Sequence, residues 1–246
     1  MAGDPWQLGP TLSSPLAEQH GLATSLLERL MASPLYSRGP LGYDGRAITK
    51  LIKCFRSHPA LVSLPARLYY EDELVSMADP SVVDRLLHFP GLTPGGLGRA
   101  PLLLHGVVGQ EMREGRSPSF FNPTEIVLVL DYISRLVAEG VRPGDIGVIA
   151  PYRKQVARLE DRLALTPWGQ VTVGTVEQFQ GQERLAIIVT TVRSTSDLRA
   201  DSKHSLGFLT NPKRFNVAIT RAQALLVVVG NPHVLAKVMC FLLCSS

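Results

Sequence analysis

The chain has 246 residues, a net charge of +4 and 45% hydrophobic residues, which suits one large α/β domain or a domain with extra segments at its ends. This apolar content excludes an intrinsically disordered chain. The three cysteines, Cys54, Cys240 and Cys244, indicate a reducing compartment rather than a disulfide framework. No apolar run has transmembrane length and the first ten residues lack the apolar core of a signal peptide, so a cytoplasmic protein without membrane contact is expected.

The first hundred residues predict helices separated by loops rich in proline and glycine. Helical periodicity covers residues 22–31 and 60–68, and the loops cover residues 37–45 and 89–101. This part of the chain contains no internal repeat that would indicate a solenoid.

Beyond residue 100 the strand and helix signals alternate, which is typical of an α/β domain with a parallel sheet. Strands are predicted at residues 101–107, 145–150, 171–176, 186–192 and 224–230. The run at 224–230 has no polar face, as expected for a strand covered on both sides. Helices are predicted at residues 126–137 and 152–163, and a further helix begins at Asn211 and Pro212, a capping residue followed by proline at the first helical position.

Polar side chains follow three of the predicted strands. Tyr152 and Arg153 follow residues 145–150, Thr175 and the run 177–183 follow residues 171–176, and Arg193 follows residues 186–192. Open parallel sheets bind ligands at the carboxyl ends of their strands, so we expect these three loops to share one rim and bind phosphate and nucleotide sugar. The alternative is that each residue is a solvated loop residue or a helix cap.

Four segments resemble the motifs of superfamily 1 helicases and follow one another in that family's order. Residues 2–10, "AGDPWQLGP", resemble motif III, and residues 53–59, "KCFRSHP", resemble motif IV. Residues 173–183, "VGTVEQFQGQE", resemble motif V, and residues 216–222, "NVAITRA", resemble motif VI. Further segments such as "GYDGRAITKL", "APYRKQV" and "LGFLTNPKRFNVAITRAQALLVVVGNPHVL" resemble the Moloney-leukaemia-virus-ten (Armitage-type) branch of the Upf-type RNA helicases.

The resemblance covers residues 2–235 and implies a domain organisation. Residues 1–46 would be the remnant of a first RecA-like domain with a helical connector, and residues 47–235 a second RecA-like domain. Such a domain has the α/β fold of P-loop NTPases, a parallel sheet with helices on both faces. Residues 236–246 would be a divergent C-terminus, in which the spacing of Cys240 and Cys244 suits a metal, a lipid or a buried helix.

The resemblance also implies roles in the nucleotide site at the matching positions. Arg221 and Arg56 match the motif VI and motif IV arginines, which contact the γ-phosphate of ATP in this family. Gln7 matches the motif III glutamine that senses the γ-phosphate or its attacking water. Glu183 matches the motif V acid that bonds the ribose, and Gly181 lies in the same loop.

The remaining matches concern the adenine ring and RNA. Phe55 falls where family members place an aromatic ring against adenine, although a core phenylalanine is an equal alternative. Tyr152, Arg153, Thr175 and Arg193 fall where the fold meets the RNA backbone. These four residues do not include the two aromatic rings that a base-stacking platform needs, so RNA binding is expected to be weak, dependent on salt and nearly independent of sequence.

The sequence departs from a complete helicase in one respect. It contains no G-x-x-x-x-G-K-[ST] phosphate loop, and its one Asp-Glu pair, Asp72 and Glu73, follows motif III instead of preceding it. ATP and Mg²⁺ are therefore expected to bind only together with a first RecA-like domain, and the chain resembles a helicase that starts at motif III. The six histidines show no H-x-x-x-H or His-Cys spacing that would predict a zinc site.

Two classes of function are open at this point. The chain is either the second motor domain of an ATP-dependent RNA helicase or a module that binds RNA or protein without ATP turnover. The resemblance to the Armitage-type branch implies single-stranded RNA and proteins of silencing complexes as partners, in RNA silencing and transposon control. It also implies a location in the cytoplasm or in ribonucleoprotein granules.

The missing phosphate loop generates a first testable prediction. The purified chain should show no ATP hydrolysis above background with or without single-stranded RNA, because the phosphate loop and the Walker B acid supply most ATP contacts and hold magnesium. Phosphate release at saturating ATP is the measurement. Hydrolysis that RNA stimulates and that Arg221→Ala abolishes would contradict the prediction.

Overall fold

The structure, a computed structural model, describes residues 1–40, 42–92, 94–95, 98–115, 117–194 and 211–236. The chain divides into two compact units, Met1–Ile52 and Lys53–Ser246. Cys240 and Cys244 lie outside the described residues, so the interpretations of their spacing stay predictions. Among the described helices, none combines the length and the apolar character needed to cross a membrane.

The first unit contains two short helices, α1 (Pro15–Gln19) and α2 (Leu26–Met31). The predicted helix over residues 22–31 was too long at its start. Ser25 is the N-cap of α2 and its Oγ accepts a hydrogen bond from the Glu28 amide at 3.2 Å, which fixes the first helical turn at Leu26. None of the described residues in this unit is buried.

The second unit is organised around a five-stranded sheet in the order β5-β11-β10-β8-β9, with every neighbouring pair parallel. The five strands predicted from the sequence are all present, and so is the α/β class. The strands of the second unit are β1 (Lys53–Cys54), β2 (Val75–Ser76), β3 (Pro94–Gly95), β4 (Gly98–Arg99), β5 (Leu102–Gly106), β6 (Met112–Arg113), β7 (Phe120–Phe121), β8 (Ile146–Ile149), β9 (Thr172–Gly174), β10 (Arg184–Thr190) and β11 (Ala222–Gly230).

The helices of the second unit lie between these strands, as the α/β pattern predicts. The structure has α3 (Pro59–Tyr69), α4 (Pro80–Val83), α5 (Pro123–Ala138), α6 (Arg153–Leu163) and α7 (Pro212–Ile219), together with a 3₁₀ turn (Pro143–Asp145) and a helical segment at residues 232–236. Asn211 caps α7 as predicted, because its side chain accepts a hydrogen bond from the Arg214 amide.

The core lies on both faces of the central strands. Ile188 and Val227 belong to the apolar cluster that also contains Ile133 and Leu136 of α5. Successive side chains of a strand point to opposite faces, so the fully buried Ile187 marks a covered second face. Burial of both faces explains why the sequences of β10 and β11 are almost continuously apolar.

A buried polar network fixes the chain where β10 ends. Asn122 caps α5 and donates to the Val192 carbonyl oxygen at 3.1 Å, and the Glu125 carboxyl accepts from Thr190 Oγ1 at 2.5 Å and from the Val192 amide at 2.9 Å. Val192 has a φ of 67°, which is strained for a β-branched residue. The network therefore holds a strained turn that sets the position of Arg193.

Burial raises the pKa of Glu125 from its ordinary value of 4.5 to about 7, although hydrogen bonds from Thr190 and Val192 act in the opposite direction. The folded protein therefore holds this proton at pH values where the unfolded chain has lost it. The free energy of unfolding should fall as pH rises from about 4.5 to about 7, by about 3 kcal/mol in total. In Glu125→Gln this part of the pH dependence should disappear.

Urea denaturation between pH 5 and pH 8 measures this effect. Glu160→Gln, which changes an exposed carboxyl group on α6, is the matched control and should keep the wild-type profile. Parallel profiles for wild type and Glu125→Gln would contradict the assignment.

Candidate functional site

The parallel sheet places the predicted site residues on two opposite edges. Tyr152 and Thr175 directly follow the carboxyl ends of their strands, as expected, whereas Glu183 and Arg221 directly precede the amino ends of β10 and β11. The expectation that the polar loops share one rim holds where the loops begin, at Tyr152, Thr175 and Arg193, and is wrong for Glu183. Because neighbouring strands are parallel, the segment after β9 must cross the sheet before β10 can start, and it carries Glu183 to the amino edge.

At the amino edge, Arg56 and Glu183 form an ion pair. Arg56 Nε lies 2.5 Å from Glu183 Oε2, and Arg56 Nη1 donates to the Thr220 carbonyl oxygen at 3.2 Å. Gln223 Nε2 donates to the other Glu183 oxygen at 2.9 Å. Motifs IV, V and VI thus meet at one point, although Arg56 and Glu183 are far apart in sequence.

The segment that carries Arg56 is fixed to the beginning of β11. Ser57 Oγ donates to the Ala222 carbonyl oxygen at 2.6 Å, and the His58 amide donates to the Gln223 carbonyl oxygen at 2.9 Å. Ser57 is buried, so this connection is not open to exchange with water. These contacts fix the backbone beside Arg56. They therefore restrict where its flexible side chain can place the guanidinium.

An open pocket of 370 Å³ lies beside this ion pair and is lined by Lys53, Cys54, Phe55, Arg56 and Glu183. Phe55 is 71% exposed, which excludes the alternative that it is a core phenylalanine. The hydrogen bond from Arg56 lowers the pKa of Glu183, with smaller contributions from Gln223 and the charge of Arg221, so its carboxylate is ionised at neutral pH. The pocket therefore combines an exposed ring, a cation and an anion.

Arg221 is the most deeply buried of the predicted site residues, with 2% of its surface exposed. Its Nε donates to the Val217 carbonyl oxygen at 3.0 Å and its Nη2 donates to Thr220 Oγ1 at 2.8 Å. The structure thus brings Arg221 next to Arg56 and Glu183 but holds its guanidinium against the end of α7.

Gln7, the motif III residue, belongs to the first unit. Its Nε2 donates to Asp4 Oδ2 at 2.9 Å, which closes a local turn. Its predicted role toward a γ-phosphate stays a prediction.

At the carboxyl edge, the candidate RNA contacts differ in exposure. Arg153 is exposed and is the first residue of α6, and Thr175 is half-buried with its amide bonded to Gln178 Oε1 at 2.7 Å. Arg193 is largely buried, because its Nε lies 3.2 Å from Glu111 Oε2 and only 12% of its side chain is exposed. The three residues therefore offer a ligand very different degrees of access.

Sequence reasoning missed Phe120 and Glu111, which complete the surroundings of Arg193. The guanidinium of Arg193 lies over the Phe120 ring at 4.4 Å, and the Phe120 and Tyr152 rings are 5.5 Å apart in an edge-to-face arrangement. The second aromatic ring that the four predicted RNA contacts lack is therefore supplied at this edge by Phe120. Phe120 precedes a helix cap, and no local pattern shows that it reaches Tyr152.

In the part of the chain that the structure describes, no group of three or more histidine, cysteine, aspartate or glutamate side chains is arranged to hold a metal ion.

Comparison with known proteins identifies the family. A family model described as "AAA domain" matches residues 22–233, so the chain belongs to the AAA domain family. Within this family, the motifs and their order indicate the helicase branch.

The chain is 51% identical over 250 residues to "RNA helicase Mov10l1" of Mus musculus, covering 98% of this chain and 21% of that protein. It is 36% identical over 254 residues to "Probable RNA helicase armi" of Drosophila melanogaster, covering 98% of this chain and 21% of that protein. It is also 33% identical over 243 residues to "Regulator of nonsense transcripts 1 homolog" of the same organism, covering 96% and 19%. The predicted resemblance to Upf-type and Moloney-type helicases is confirmed, and the chain spans about a fifth of the length of these relatives.

The loop that carries Glu183 depends on Gly181, whose φ is +80° and whose surroundings are open. Gly181→Ala should reduce the free energy of unfolding by about 1–2 kcal/mol, because a Cβ is unfavourable in the left-handed region. Gly169→Ala is the matched control, since Gly169 lies in equally open space without a positive φ, and should be neutral or slightly stabilising. Urea denaturation measures both, and equal effects would show that the backbone at Gly181 tolerates a side chain.

Proposed function

We propose that this chain is the second motor domain of an ATP-dependent RNA helicase, with a nucleotide at the amino edge of its sheet and RNA at the carboxyl edge. The observation that carries the proposal is the meeting of Arg56, Glu183 and Arg221 beside the exposed ring of Phe55. Two of the relatives are named as RNA helicases, which supports the same conclusion.

The residues at the amino edge fit the parts of ATP. The exposed ring of Phe55 offers a stacking surface for adenine, and the ionised carboxylate of Glu183 accepts hydrogen bonds from ribose hydroxyls. The guanidinium of Arg56 suits a phosphate, since it stays protonated and donates in a fork. Mg²⁺ and the phosphate loop would come from a first RecA-like domain.

Phosphoryl transfer develops charge on the oxygens of the γ-phosphate, and arginines that stabilise this charge increase the rate by about 10³ to 10⁵. Arg56 reaches the pocket as it stands. Arg221 can stabilise the γ-phosphate only after its guanidinium leaves the Val217 carbonyl oxygen and Thr220 Oγ1. A phosphate group compensates for those bonds with stronger, charge-assisted ones.

The carboxyl edge would form part of the RNA track. Arg153 is exposed there, and the amides at the start of α6 face the same edge, which favours anions. On the resemblance of the sequence to the Armitage-type helicases, we extend the proposal to a wider role in RNA silencing and transposon control, with silencing-complex proteins as partners and a cytoplasmic or granular location. This wider role is part of the proposal.

Replacement of the matching segment of mouse Mov10l1 by this chain tests the nucleotide site. In this chimera we expect ATP hydrolysis stimulated by single-stranded RNA, and Arg221→Lys and Arg56→Lys should each lower its rate at least about 10³-fold, because lysine cannot donate in a fork. Arg214→Lys is the matched control. Arg214 lies on α7 and pairs with Glu177 at 2.8 Å, away from the pocket.

The melting temperature of each variant separates a lost function from a lost fold. Hydrolysis at the control rate in both Arg221→Lys and Arg56→Lys would overturn the proposed nucleotide site.

A further inference from the structure

Two aromatic rings lie half-buried at the carboxyl edge of the sheet, where Phe120 of β7 meets Tyr152 at the start of α6. Their ring centres are 5.5 Å apart with an interplanar angle of 68°. Arg193 contacts Phe120 at 4.4 Å, and burial raises the pKa of Tyr152 while the nearby Arg193 charge opposes the rise. The arrangement brings together one residue from each of three segments that are separate in the sequence.

The hairpin that carries Phe120 is held firmly against α6. Glu114 pairs with Lys154 at 2.6 Å and also with Arg158, and Ser119 Oγ accepts from the Lys154 amide at 2.9 Å. The hydrogen bond from Lys154 is the largest of the interactions that lower the pKa of Glu114, so this carboxylate stays charged. The hairpin is therefore preorganised, and Phe120 does not need to be ordered by a ligand.

The charge of Arg193 is already used inside the protein. Its guanidinium lies between the Glu111 carboxylate and the Phe120 ring, and only 12% of the side chain is exposed. A phosphate would have to displace Glu111 to reach it. The contribution of Arg193 to this edge is therefore to hold Phe120 in place, whereas the exposed Arg153 remains accessible to phosphate.

We propose that Phe120 and Tyr152 form an aromatic contact for one unpaired nucleobase of RNA at the carboxyl edge. The inference rests on the proposed function, because it assumes that RNA runs along this edge. Every nucleobase has an aromatic face, so such a contact adds affinity without strong sequence preference. The proposed contact requires that the bases of the RNA, and not only its phosphates, contribute to the affinity of this domain for RNA.

Stacking and phosphate contacts respond differently to salt, which allows them to be measured separately. A contact with a phosphate releases a counterion and contributes about −0.7 to the salt slope for single strands. A stacked base releases none. Loss of a stacked base should lower affinity at every salt concentration and leave the slope unchanged.

The test is a titration of the whole chain with a fluorescent single-stranded RNA, and with an abasic oligonucleotide of equal length, at several salt concentrations. Phe120→Leu should weaken binding of the RNA about 5- to 150-fold, with an unchanged slope and an unchanged affinity for the abasic strand. Arg153→Gln should reduce the slope by about 0.7 and weaken both strands alike.

Phe121→Leu is the matched control, because Phe121 is the neighbouring aromatic residue and its side chain packs against the hydrophobic core. Leucine keeps most of the apolar volume at both positions, and thermal denaturation verifies the fold. The inference is overturned if Phe120→Leu binds RNA as wild type or as Phe121→Leu does, or if it loses affinity for the abasic strand equally. If the wild-type chain binds neither strand, the proposed RNA function fails as well, which is a separate result.

Discussion

Parallel strand pairing is the constraint on which the rest of this structure depends. All five strands of the sheet run in the same direction, so each chain segment between two of them must return across the sheet. Motif V does this within a single loop, which leaves β9 at the carboxyl edge with Thr175 and enters β10 at the amino edge with Glu183. One motif thereby supplies residues to both edges. The proposed nucleotide role of Glu183 and the proposed RNA role of Thr175 are compatible, because the two residues lie at opposite ends of this loop.

Buried contacts, rather than exposed ones, determine where the functional groups lie. Phe179 is fully buried and occupies the space left by Gly147, where a Cβ would come within 2.8 Å of its ring. This fixes the crossing loop on the sheet. The Ser57 bond to the Ala222 carbonyl oxygen does the same for Arg56, and the Asn122 network does it for Arg193. Each of these groups is therefore held in place by a buried neighbour.

The sequence was sufficient for the fold and for part of the candidate site. Apolar runs and patterns located all five strands. A strand such as β11 is easily recognised, because it is buried on both faces and has no polar face. The motifs identified Arg56 and Glu183, and the fold brings these two side chains into contact. Burial was not predictable in the same way. The burial of Arg193 depends on Glu111 and Phe120, which approach from distant segments and leave no local pattern.

The length of β10 has a consequence for how the two edges can influence each other. Its seven residues span about 20 Å from one end of the strand to the other. Charges exposed at opposite edges are thus more than two Debye lengths apart at physiological ionic strength, where that length is about 8 Å, and the solvent screens them from each other. The electric field of an anion bound at one edge is therefore screened before it reaches the charges exposed at the other edge. The covalent backbone of β10, bonded along both sides to β8 and β11, is one continuous connection between the edges, and the loop of motif V is another.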